Sequence, residues 1–274
     1  MQFLTLKMLA LYATFAVVLA PLSLQAACSR PINTPMSATG LSVVVTDEQV
    51  SGGIYPDILQ SVQKADGCTF LIKAVPRARL EFLFEIGDAD LLIPASKTPE
   101  RDKVGVFVPL IYNRATLISL ESTRKTITTA QELIDNAALK VVLIRGYGYG
   151  PAYEQLVRDL QQQGRIQYET DPVSVARVLK LGNAQVTIMA PSILAGSLQA
   201  DERVRDLADK LRFEPIKELP WGDSGAYVSR KSLGESDQRA LRELLEQAAR
   251  SGAVWRGFQK HYPANVLKES IRPR

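Results

Sequence analysis

Short apolar runs alternate with amphipathic segments along almost the whole chain. LSVVVT (41–46), CTFLIKAV (68–75), DLLIPA (90–95), VGVFVP (104–109), ATLISL (115–120), LKVVLI (139–144), RIQYET (165–170), QVTIMA (185–190) and GAYVSR (225–230) read as strands. Helical patterns with readable ends lie between many of them. Leu80, Leu83 and Phe84 share one face before Gly87 stops the turn. Thr129 with Glu132 forms a capping-box pattern, Pro151 suits a first helical turn, and Asp171-Pro172 opens a helix that Gly182 closes. This alternation predicts an α/β fold with mostly parallel sheets flanked by helices.

Two polar stretches interrupt the pattern: ESTRKTIT (121–128) and PIKELPWGD (215–223). Taken as crossings, they divide the chain into a middle lobe, 121–220, and an outer lobe built from 28–120 plus 221–274. Residues 1–27 stand apart. Lys7 precedes an apolar run over residues 8–20, Pro21 ends it, and small residues Ala26 and Ala27 follow, the order of a secretory signal peptide. A run this short falls below the roughly 20 residues that a spanning helix needs. The mature protein is therefore expected in the periplasm.

Export changes the meaning of the two cysteines. Cys28 and Cys68 are the only pair, and in an oxidising compartment such a pair reads as a disulfide. Without the leader, 32 basic residues face 29 acidic ones. That balance, with no stripe of basic and aromatic residues, argues against nucleic acid.

The polar insert Ser96 to Asp102 separates two apolar runs and asks for a purpose. An arginine beside free backbone amides at a strand end offers a planar fork of donors suited to a carboxylate, which makes Arg101 the first ligand-binding candidate. Ser96 and Thr98 add donors beside it. Composition alone also allows Arg101 to pair with Glu100 or Asp102 on a solvated turn. RGYGYG (145–150) places Tyr147 and Gly148 before the helix at Pro151, where free amides and the helix dipole favour an anion. It is no dinucleotide fingerprint, because Pro151 stands where a third glycine belongs.

The order GGIYPDILQSV (52–62), VPRARLEFLFEIGDADLL (75–92), TPERDKVGVFVPLI (98–111) resembles the family-three extracellular solute-binding proteins. LKVVLIRGYGYGPAYEQL (139–156) and VARVLKLGNAQVTIM (175–189) are similar to that family's second lobe. The resemblance implies a two-lobed type II periplasmic binding protein with two hinge crossings. It further implies a small polar, carboxylate-bearing solute held between the lobes, amino-acid-like or anionic, and a membrane permease of an ABC-type uptake system as partner. Arg101, Ser96, Thr98, Tyr147, Gly148, Arg77 and Tyr55 are the implied ligand-binding residues. Arg77 stands where the family commonly has a stacking aromatic, and Ala190 where amino-acid binders carry an aspartate. A monomer without metal or cofactor is expected. An enzyme is not, since His261 is the only histidine and no nucleophile and base can be assembled. A ligand sensor docking a signalling protein, and less readily a lyase on the same scaffold, are the alternatives.

Overall fold

The computed structural model describes residues 28–274, so the segment read as a signal peptide lies outside the described residues. The first sheet orders its strands β13-β6-β12-β5, with β5 at Leu91–Ser96, β6 at Gly105–Asn113, β12 at Gly222–Ser229 and β13 at Ile271–Arg272. A parallel pair, β1 (Ile32–Met36) with β4 (Phe70–Ala74), lies beside it, and β2 (Val44–Thr46) and β3 (Gln49–Gly52) form a hairpin. The second sheet runs β11-β7-β10-β8-β9, from β7 (Thr116–Leu120), β8 (Val141–Ile144), β9 (Ile166–Glu169), β10 (Val186–Met189) and β11 (Leu211–Glu214). Ten helices flank these sheets among the described residues. They are α1 (Ile54–Asp66), α2 (Arg77–Ile86), α3 (Pro99–Asp102), α4 (Ala130–Asp135), α5 (Pro151–Gln162), α6 (Pro172–Lys180), α7 (Pro191–Ala200), α8 (Glu235–Arg250), α9 (Ala253–His261) and α10 (Ala264–Ser270).

The predicted helix ends are present. Gly87 stops α2 at a φ of 90°, Thr129 and Glu132 complete the capping box of α4, and Asp171 accepts the Ser174 N–H at the start of α6. The sheets are mixed rather than mostly parallel. β8 pairs in parallel with β9 and β10, but β7 runs antiparallel to β10 and β11, and β12 runs antiparallel to β5 and β6. The reason is that β7 and β12 are the first strands after the two crossings, β7 entering the second sheet and β12 re-entering the first. Each enters against the direction set by the strand–helix–strand units.

The chain leaves the first sheet after Asn113 and enters the second at Thr116, ahead of the polar stretch 121–128. That stretch has another purpose. Glu214 of β11 is almost fully buried; its carboxylate accepts from both Nη atoms of Arg124 and from the Ile127 N–H at 2.6 Å, and it forms an ion pair with Arg212, whose Nε lies 3.2 Å away. The polar residues are there to satisfy a buried acid. The return to the first sheet falls between Glu214 and Gly222.

Helix α7 links the two units. Ala195 packs in the core of the first sheet, while Ile193, Leu194 and Leu198 pack in that of the second. A Cβ at Gly196 would stand 2.4 Å from Tyr262 Oη and 2.6 Å from the Leu41 nitrogen, so only glycine allows this approach. Cys28 and Cys68 are joined by a disulfide and tie the start of the described chain to the segment entering β4. The bridge closes a separation of 40 residues. Replacing both cysteines by serine should lower the unfolding free energy by about 2–4 kcal/mol in denaturant titrations, the range for a loop of this length; an unchanged midpoint would show that the bridge adds nothing to stability.

Candidate functional site

A cavity between the two sheets is lined by Thr39, Arg77, Ser96, Asn113 and Ser224 on one side and by Tyr147, Gly148, Tyr149 and Ile193 on the other. Its free space is ≈ 40 Å³. The strands place these groups. Ser96 and Asn113 end β5 and β6, Ser224 sits between them on β12, and Tyr147 and Gly148 occupy the turn after β8. Gathering polar groups at strand ends is what α/β sheets do, because there the backbone ladder stops and loops diverge.

Arg77 opens α2 and is only 5 % exposed. Its Nη1 donates to the Pro94 carbonyl at 2.8 Å, its Nη2 lies 2.5 Å from Glu81 Oε1, and its Nε has no partner. The guanidinium carbon is 5.7 Å from the centre of the Tyr147 ring, within range of a cation–π contact. Tyr147 packs edge-on against Tyr149, whose hydroxyl accepts the Ala190 N–H at 3.1 Å. Burial pushes the Tyr147 phenol up to about 12, against the opposing pull of Arg77, so it stays protonated. Arg77 also borders a wider opening of ≈ 680 Å³, lined among others by Glu48, Asp171, Arg177, Asp201 and Arg203. It is therefore the wall between the inner cavity and the outer cleft.

Arg101 stands differently from its sequence reading as a clamp. Its Nε donates to Glu81 Oε2 at 3.0 Å and its Nη2 to Oε1 at 2.8 Å, while Nη1 donates to the Ser96 carbonyl at 2.7 Å. The fork meets a carboxylate of the chain itself. Nor does Arg101 pair with Glu100 or Asp102; the Asp102 carboxylate instead accepts from the Tyr227 hydroxyl at 2.9 Å. Thr98 caps α3 by accepting the Arg101 N–H, and its own N–H donates to Tyr227 Oη, so it braces the insert from outside the cavity. Tyr55 is buried in the first core, edge-on to Phe258. Of the seven predicted ligand residues, Arg77, Ser96, Tyr147 and Gly148 line the cavity; Arg101 comes to its edge through Nη2, which a Cβ at Gly148 would meet at 3.8 Å, and Thr98 and Tyr55 support it from behind.

Sequence reasoning missed Glu81, Thr39, Asn113, Tyr149, Ile193 and Ser224. Glu81 had a visible signal, standing four residues after Arg77 on a helix, where opposite charges meet. Burial works to raise its pKa, but Arg77 and Arg101 together hold it below the usual carboxylate range. Its contribution to stability is therefore full above that range and is lost as pH falls through the lowered value. Glu81→Gln should cost roughly 2–3 kcal/mol at neutral pH, somewhat under the cost of breaking a fully buried pair because the carboxylate is partly exposed. Wild type and variant should converge in acid. Denaturant titrations across pH check this, and a difference that stays constant down to the lowest pH would rule Glu81 out as the linked group.

No family model and no curated protein matches the chain. Solved structures do. A histidine kinase sensor domain with similarity to periplasmic binding proteins superposes with a TM-score of 0.68 at 13% identity, covering 89% of this chain and 98% of the other. A putative L-cystine ABC transporter protein from Listeria monocytogenes gives 0.67 at 17%, covering 88% and 99%. A mutant of ArgBP from T. maritima gives 0.67 at 14%, covering 84% and 94%. At such identities the likeness speaks for architecture, and the architecture is common to all three: this chain has the two-lobed type II periplasmic-binding-protein fold.

Proposed function

We propose that the chain is a solute receptor of the periplasm, which closes two lobes on a small polar molecule and presents the closed form to a membrane permease of an ABC-type uptake system. The observation that carries this reading is the cavity itself. Thr39, Arg77, Ser96, Asn113 and Ser224 come from elements of the first sheet, and Tyr147, Gly148 and Tyr149 from the second. A solute in contact with both favours the closed arrangement by its differential affinity for it, and no other cause of closure is needed. The lobes comprise 28–113 with 222–274 and 116–214, joined at residues 114–115 and 215–221. Trp221 holds the crossings together, its ring packed on the guanidinium groups of Arg114 at 4.9 Å and Arg272 at 3.9 Å. The receptor acts as a monomer.

The sensor domain among the similar folds supports a second reading, in which the closed form is read by a signalling protein. Both share one binding site. Crosslinking of the solute-loaded protein in cell envelopes separates them by the partner captured, a permease or a kinase.

A thermal-shift screen over neutral amides and polyols, amino acids and dicarboxylates tests the common part. A solute at 100 times its dissociation constant adds about 2.7 kcal/mol of stability. Gly148→Leu makes the screen site-specific. A Cβ at Gly148 would meet nothing nearer than Arg101 Nη2 at 3.8 Å, so the fold accepts the change while the longer side chain fills the cavity. Its affinity for the solute should fall by roughly 100-fold or more, the consequence of filling a small enclosed site. The unliganded melting temperature should stay within a few degrees. Retained affinity in that variant would place the solute elsewhere.

A further inference from the structure

A site built around guanidinium groups ordinarily leaves their forks open to a solute; here the carboxylate is already inside the protein. An arginine offers two edges for two-pronged contact, Nε with Nη2 and Nη1 with Nη2. Glu81 takes the first edge of Arg101, and the Ser96 carbonyl takes Nη1. The same carboxylate takes Nη2 of Arg77, and the Pro94 carbonyl takes its Nη1. On both arginines every two-pronged edge therefore has at least one nitrogen already engaged by the protein. Of the six guanidinium nitrogens, the one with no partner at all is the buried Arg77 Nε. A solute carboxylate could gain the Nε–Nη2 fork of Arg101 only by displacing Glu81, which would leave that charge beside buried neighbours without its partners.

The rest of the lining points the same way. Thr39, Ser96, Asn113, Ser224 and Tyr147 bring hydroxyls and a carboxamide, and no acid lines the cavity among the described residues, so an ammonium group finds no counter-charge there.

We propose that Glu81 is a built-in carboxylate that sets the specificity of the cleft: by holding Arg77 and Arg101 it makes the site select a small uncharged hydrogen-bonding solute and reject free carboxylates. The solute class rests on the receptor reading above; the blocking of Arg101 by Glu81 does not.

Acetamide and acetate, alike in shape and different in charge, are the probes, titrated by NMR into the wild type, Glu81→Gln, and Glu81→Gln combined with Arg101→Ala. The wild type should bind acetamide at least roughly tenfold more tightly than acetate. Glu81→Gln should gain acetate affinity by roughly tenfold or more, as a freed fork makes a charge-assisted pair, and the double variant should lose that gain. Acetate binding as tightly to the wild type as to Glu81→Gln, or to neither, overturns the proposal. If the wild type binds neither probe but Glu81→Gln binds acetate, the blocking role stands and the small neutral solute is what fails. Should the variant not fold, the wild type still decides: its Arg101 Nε–H signal must stay in place as acetate is added, and displacement of that signal would show the fork open.

Discussion

The carboxylate of Glu81, shared between Arg77 and Arg101, is the contact on which the rest of the site depends. Arg77 comes from the first turn of α2 and Arg101 from the short helix α3, and Glu81 is the only acid of the described chain that meets both. Each guanidinium then reaches back to a carbonyl of β5, at Pro94 or Ser96. One charge thus fixes a helix, an insert and a strand end against one another. Two cations at close quarters would repel and resist burial; the acid between them is what makes their burial tolerable. The cavity wall is braced by this charge network, and its chemistry follows from which guanidinium nitrogens the network already engages.

The second lobe uses the same device away from the cleft. Glu214, buried on β11, collects Arg124, Arg212 and the Ile127 N–H, and so turns a polar loop into a fixed part of the sheet. At the edge of the first sheet Asp90 does likewise with Arg30, Ser232 and the Asn33 N–H. In each case a buried acid organises segments that carry little apolar surface of their own. Removing the acid leaves several donors unsatisfied at once, a far larger loss than any one exposed ion pair gives.

Between these rigid units the contact is close and small-residue in character. α7 reaches both cores, and Gly196 lets it approach Tyr262 and Leu41, while the Arg–Trp–Arg stack at Trp221 ties the two crossings to each other and to the first sheet. The cleft therefore opens or closes by rotation about 114–115 and 215–221 in the proposed scheme, with the tyrosines of the 147–153 segment carried as a block against Arg77.

Much of the fold was legible in the chain, because the signals are local. Apolar runs of strand length, the Thr129–Glu132 capping box, Pro151 and Pro172 at helix starts and Gly87 at a helix end each act through neighbouring residues, and each is found where it was read. β1 escaped because Asn33, Thr34 and Pro35 break its apolar pattern; its pairing with β4 is what makes it a strand. The side chains near the cleft were legible only as types. That Arg77, Ser96, Tyr147 and Gly148 come together follows from spacing and resemblance, but the direction of a guanidinium does not. Only the tertiary structure decided that Arg101 turns to Glu81, that Thr98 caps a helix and that Asn113 and Ser224 meet at one cavity. An arginine fork goes to whichever acceptor is nearest once the chain has folded, and Glu81, twenty residues away in sequence, is brought nearer than solvent by the packing of α2 on the first sheet.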